Sequence, residues 1–181
     1  RRRLVLLTTF EGTSRQIAHQ EVPVDVICRQ AECLGLPLVG CPLWPHAAYA
    51  ERVAEALRTI SASVAAPLVR VCTGDLHLEH IAHWREEHLG PLISAFGARI
   101  YNPLWKVPYD VLVRDLEASG TPCRICASNT DDIRVGDLFD AEFRSRLKPE
   151  TDLFGENGEF HTLAEVWDAT VGDPLRSSLF S

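Results

Sequence analysis

The sequence predicts a mixed α/β fold: a three-layer sandwich in which helices cover both faces of a mainly parallel sheet. Three observations lead there. Five short apolar runs alternate with amphipathic stretches. Gly or Pro punctuates several of the junctions. The chain has 181 residues, 46% hydrophobic and 24% charged, enough for one ordinary domain with its own core. Strands alternating with helices read as βαβ units, and right-handed crossovers place the helices on both faces.

Each element has its own signal. Leu4–Leu7 is a continuous apolar run of buried-strand type. Val24, Ile27, Ala31 and Leu34 recur at helical spacing, and Gly35 follows as a C-cap. Leu36–Val39 reads as a second strand. Tyr49, Val53, Leu57 and Ile60 mark a helix, and Leu68–Cys72, after Pro67, a third strand. A long helical stretch from Leu78 to Phe96 is broken at Gly90-Pro91. Arg99–Tyr101 is a short strand. Val111, Leu112 and Leu116 form a helix stopped by Gly120, and Thr121–Ala127 is the fifth strand. Phe139, Phe143 and Leu147 mark a late helix, and the remainder reads as loop-rich. Residues 1–165 are read as one α/β domain and 166–181 as a C-terminal tail.

Composition excludes some functions. With 18 Lys and Arg against 25 Asp and Glu, the net charge of −7 argues against nucleic-acid binding by phosphate neutralisation. No apolar run approaches the ~18 residues of a membrane span. Arg1-Arg2-Arg3 before Leu4-Val5-Leu6-Leu7 mimics a signal peptide, but four apolar residues are too few for its core. The chain has no Met, and a processed or truncated chain is the expectation. The six cysteines lie mostly in apolar stretches, so reduced thiols and a cytoplasmic protein are expected.

In parallel sheets, ligands bind beyond the carboxyl ends of the strands. Thr73-Gly74-Asp75 follows the third strand: Gly74 permits close backbone approach to a ligand and Asp75 supplies an acceptor. A plain turn with Asp75 as helix N-cap is the alternative. His77, His80 and His83 invite a zinc reading. On a helix of about 100° per residue, His77 and His83 are about 120° apart, so the three do not converge on one ion. Glu79 with one of these histidines reads as a polar wall or a solvated face. Cys123 and Cys126 form a C-x-x-C, but on a strand an odd spacing sends the thiols to opposite faces. Trp105 and Lys106 follow the fourth strand, where an indole can stack on a ligand ring or anchor a loop and an ammonium can meet a phosphate. The densest chemistry lies in Gly155-Glu156-Asn157-Gly158-Glu159-Phe160-His161-Thr162, where carboxylates, an amide, an imidazole and a hydroxyl sit beside turn-forming glycines. Such a set can transfer protons or orient an amine; a polar hairpin is the alternative.

Together these pieces resemble the diphthine–ammonia ligase family of the adenine-nucleotide α-hydrolase-like (PP-loop ATP pyrophosphatase) superfamily. The resemblance runs from Leu4 to about Glu165 through Leu6-Leu7-Thr8-Thr9-Phe10, Gln30-Ala31, Leu34-Gly35-Leu36-Pro37-Leu38, Gly74-Asp75-Leu76, Glu79 with Ile81, Pro103-Leu104-Trp105 and the octapeptide GENGEFHT. It implies an ATP-dependent, AMP-forming ligase that adenylates a carboxylate, diphthine on elongation factor 2, and amidates it with ammonia. ATP and Mg²⁺ are the implied cofactors. Glu156, Asn157, Glu159 and His161 are the implied catalytic group; Thr8, Thr9, Gly74 and Asp75 bind nucleotide; Glu79, Trp105 and Thr162 bind substrate. A homo-oligomer is compatible with the reading; membrane and direct nucleic-acid partners are not expected.

Two departures qualify the resemblance. The family's opening strand and Ser-Gly-Gly-Lys-Asp-Ser loop are not in this sequence, so the expectation is an absent first β-loop-α unit and a gap in the sheet, filled by upstream residues or a partner. Ile17-Ala18-His19-Gln20 and the stretch from His77 to Glu86 look like the bacterial branch, in which diphthamide is not expected. An ATP- or AMP-binding protein without turnover, or a ligase acting on a different carboxylate, is the alternative.

Overall fold

A computed structural model describes residues 3–64 and 66–169. The order is β1 (Leu6–Glu11), α1 (Val24–Leu34), β2 (Leu38–Leu43), α2 (Tyr49–Ser63), β3 (Arg70–Cys72), α3 (Glu79–His88), α4 (Gly90–Ser94), β4 (Arg99–Tyr101), α5 (Tyr109–Ser119), β5 (Cys123–Ser128), α6 (Ala141–Arg146) and β6 (Phe160–Ala164). Val166–Asp168 adds one 3₁₀ turn, and Arg29 of α1 stacks 4.0 Å above the ring of Trp167. Residues 170–181, most of the expected tail, lie outside the described residues.

Local chemistry explains the helix limits. The chain leaves α1 through Gly35 at φ 65°, whose N–H reaches the Ala31 and Glu32 carbonyls. Helix α5 starts after Pro108 and ends at Gly120, φ 60°; both glycines occupy the left-handed conformation that Cβ disfavours. Gly90-Pro91 does interrupt the long helical stretch, separating α3 from α4. Helix α3 begins only at Glu79, so His77 lies in the preceding loop rather than on the helix.

The fold is mixed α/β, with three two-stranded sheets among the described residues. β1–β2 and β3–β4 are parallel; β5–β6 is antiparallel, with a bulge between Ile125 and Ala127. β6 falls in the stretch expected to be loop. It pairs Phe160 with Ser128 and Ala164 with Cys123, a register set by a partner strand far away in sequence.

Two cores hold these parts. Val53, Leu57 and Ile60 of α2 pack with Leu89, Ile93 and Ala98. Leu7, Val39, Val71 and Ile100 pack against this cluster, so both parallel pairs rest on one apolar centre. The second core joins Ile125, Ile133, Phe139, Phe143 and Phe160. Phe160 is 1% exposed and stacks edge-on to Phe143, centroids 5.6 Å apart. It fixes the loop immediately before β6.

Cys28, Cys41, Cys72, Cys123 and Cys126 are free thiols. Burial raises the pKa of Cys123, with Glu165 adding to it, and that of Cys126. No helix among the described residues is long and apolar enough to cross a membrane.

Candidate functional site

Three loops meet beyond the carboxyl ends of β3 and β4: residues 73–78, 102–108 and 152–159. Backbone bonds register the first two, from Thr73 N to Tyr101 O (3.2 Å) and from Lys106 N to Leu76 O (2.7 Å). The third is tied in by Leu76 N, which donates to Glu156 Oε2 at 3.4 Å. Leu76, His77, Lys106, Val107, Pro108, Tyr109 and Asp152 line a cleft of about 410 Å³ at this junction.

Asp152 organises the third loop. Its Oδ1 accepts from Phe154 N (2.9 Å) and Glu156 N (3.1 Å), turning the chain back on itself. Its Oδ2 accepts from the Tyr109 hydroxyl at 2.8 Å, and Tyr109 Oη lies 3.0 Å from His77 Nδ1. Its own N–H donates to Glu159 Oε1 at 2.8 Å, which Asn157 Nδ2 also reaches at 3.3 Å. Glu159 Oε2 is buried with no hydrogen-bond partner among the described residues. A buried carboxylate oxygen without a donor is costly, because its lost hydration is not replaced.

Electrostatics follow from this crowding. Burial raises the pKa of Glu156, with Asp152 and Asp75 raising it further; the Leu76 N–H and His77 oppose the shift. Tyr109 is pushed well above the usual phenol range, first by burial and then by its bond to Asp152 and the surrounding carboxylates. It therefore remains a hydroxyl donor. Its ring stands edge-on to Phe154, centroids 4.9 Å apart, and so rests against the second core.

Of the predicted residues, Glu156, Asn157 and Glu159 come together here, beside Gly74 and Asp75. Asp75 is not the N-cap of α3, a position held by Leu78. The Arg85 guanidinium grips it through Nε to Oδ2 (2.7 Å) and Nη2 to Oδ1 (2.9 Å). The Thr73 hydroxyl donates to the same Oδ2 at 2.7 Å and also meets Asn102. Both Asp75 oxygens are thus engaged within the protein, and no group of three His, Cys, Asp or Glu among the described residues is placed to hold a metal by itself; the Mg²⁺ that the resemblance implies would need only one or two protein oxygens beside the phosphates of ATP.

The other predicted residues lie elsewhere or have other partners. Thr8 and Thr9 sit half-buried on β1, opposite Gly40 and Cys41. Glu79 is exposed and pairs with Lys106 Nζ at 2.8 Å, which lowers its pKa. Trp105 is half-buried, with Lys106 Nζ 5.7 Å from its ring centre. Thr162 stands in β6 opposite Ile125. His161, also in β6, makes no hydrogen bond to Glu156 or Glu159. Burial lowers its pKa, and the nearby charge of His19 lowers it further.

Tyr109 and Asp152 carry no signal in the sequence, and His77 reads there as a zinc candidate, a polar wall beside Glu79 or part of a solvated face. Tyr109 opens a helix, where an aromatic reads as core. Asp152 lies just before the octapeptide and carried no spacing signal. No family model matches this chain, and no curated protein matches it.

Proposed function

We propose that this protein is an ATP-dependent, AMP-forming ligase that adenylates a carboxylate and amidates it with ammonia, as in the conversion of diphthine to diphthamide. The observation that carries the reading is the unpaired, buried Oε2 of Glu159, in a loop that also gathers Asp152 and Glu156. Ammonium offers this oxygen the donor it lacks and brings charge opposite to that of the carboxylates. The resemblance supplies the rest: the carboxylate becomes reactive once adenylated, and AMP departs as nitrogen attacks.

In this scheme Glu159 holds the ammonium nitrogen, with Asn157 fixing the opposite face of its carboxylate. Glu156, whose pKa lies above the ordinary carboxyl value of 4.5, takes the proton that converts ammonium to ammonia. The fold proposal is the three-layer sandwich of the superfamily. β1–β2 and β3–β4 then belong to one sheet, joined by a strand between β1 and β3. Their shared packing on the α2–α4 core supports this arrangement.

Glu159→Gln tests the assignment in the full-length gene product. ATP–pyrophosphate exchange, driven by the carboxylate substrate, is expected to persist, while amide formation falls by roughly 10²–10⁴-fold. Equal losses in both steps would move this loop from ammonia handling to ATP or acyl binding.

A further inference from the structure

The hydrogen-bond chain from His77 through Tyr109 to Asp152 is not used by the scheme above, yet it ends at the cleft. Its direction follows from donor counting. Asp152 Oδ2 can only accept while ionised, so the single Tyr109 proton points to it, at 2.8 Å. Toward His77, 3.0 Å away, the Tyr109 oxygen is then the acceptor, and Nδ1 must carry a proton. A neutral His77 consequently has its free lone pair on Nε2. His77 and Tyr109 both line the cleft of about 410 Å³ that holds Asp152.

From this geometry we propose that His77 is a catalytic base, with Tyr109 and Asp152 as positioning residues that fix its tautomer and stabilise its charged form. An imidazole oriented by one group and that group anchored by a carboxylate is the general arrangement for a placed base. The inference rests on the ligase reading for its substrate. Ammonia's lone pair forms the C–N bond, and the acyl–oxygen bond to AMP breaks, its electron pair leaving with AMP. The nitrogen sheds one proton to His77 Nε2, giving amide, AMP and imidazolium. The positive charge so formed is met through Tyr109 by the Asp152 carboxylate. Glu156 takes the earlier proton, from ammonium, so the two transfers have separate acceptors.

Two measurements on the full-length gene product test this. The first uses ¹⁵N-labelled histidine and the imidazole ¹⁵N–¹H spectrum, with no substrate. The proposal predicts an Nδ1–H tautomer for neutral His77, and loss of that preference in Tyr109→Phe, which keeps the ring packing. An Nε2–H tautomer in the unsubstituted protein, or an unchanged preference in Tyr109→Phe, overturns it. The second uses His77→Ala with ATP, ammonium chloride and the carboxylate that supports pyrophosphate exchange. Amide formation should fall by about 10²–10⁴-fold and recover on adding imidazole. A loss that imidazole does not restore, or no loss, overturns the role of His77. If the unsubstituted protein shows no carboxylate-dependent exchange, the ligase reading fails and the catalytic role of His77 fails with it, whereas the tautomer result tests the relay independently of that reading.

Discussion

At the scale of single residues, the site is built from groups whose neighbours work against their ordinary chemistry. Glu156 shows this most plainly. Burial, with the nearby charges of Asp152 and Asp75, raises its folded pKa above the ordinary 4.5. Between 4.5 and the raised value, the folded protein holds a proton that the unfolded chain has released, so stability falls as pH rises through that window. Glu156→Gln keeps an acceptor for the Leu76 N–H and removes the charge. The expected result is a higher melting temperature than the parent at pH 7, with the difference closing below about pH 4.5 as the parent carboxyl protonates in both states. Thermal melts of both proteins across pH 4–8 check this; a Glu156→Gln variant less stable at pH 7 would show that the ionised carboxylate is stabilising.

At the scale of elements, the loop entering β6 depends on one glycine far more than on its neighbour. Gly155 has φ 73°, and a Cβ there would lie 2.5 Å from the Phe160 carbonyl oxygen. Gly158 has φ 86°, but its Cβ position meets nothing within 4 Å. Gly155→Ala therefore combines backbone strain with a clash, about 3 kcal/mol, while Gly158→Ala carries strain alone, about 1–2 kcal/mol. Denaturant unfolding of the two variants measures the gap; equal losses would mean that the turn relaxes freely around Gly155. The same elements show what a sequence discloses. Helices α1 and α5 are legible because their stop signals, Gly35 and Gly120, are local. β6 is not, because its partner residues on β5 are distant in the chain and a five-residue strand has little pattern of its own. The site divides likewise: Glu156 and Glu159 were visible as a dense local motif. The His77–Tyr109–Asp152 chain spans three separate segments that only folding brings together.

At the scale of the whole molecule, the unjoined parallel pairs are the main structural feature to explain. Leu6 N bonds to Pro37 O and Gly12 N to Leu43 O, so the even-numbered amides of β1 face β2. The amides of Leu7 and Thr9 then lie on its other edge. By the same alternation Arg99 N to Val69 O and Thr73 N to Tyr101 O leave the Arg70 and Cys72 amides on the edge of β3 that pairs with no strand among the described residues. Unpaired edges of this kind are normally covered or filled. The three-layer proposal expects slow hydrogen exchange at Leu7, Thr9, Arg70 and Cys72 in the full-length gene product, comparable to the paired amides of Thr8 and Val71. Fast exchange at these four positions beside protected Thr8 and Val71 would rule out a strand in the slot.

The proposed adenylation of a carboxylate before nitrogen attacks is reported directly by oxygen transfer. The full-length gene product is given ATP, ammonium chloride and elongation factor 2 bearing diphthine with an ¹⁸O-labelled carboxylate, or the carboxylate that supports pyrophosphate exchange. AMP and pyrophosphate are the expected products, with one ¹⁸O atom from the carboxylate in the AMP phosphate for each amide formed. Label in inorganic phosphate with ADP as the nucleotide product, or amide formation with unlabelled AMP, would contradict it.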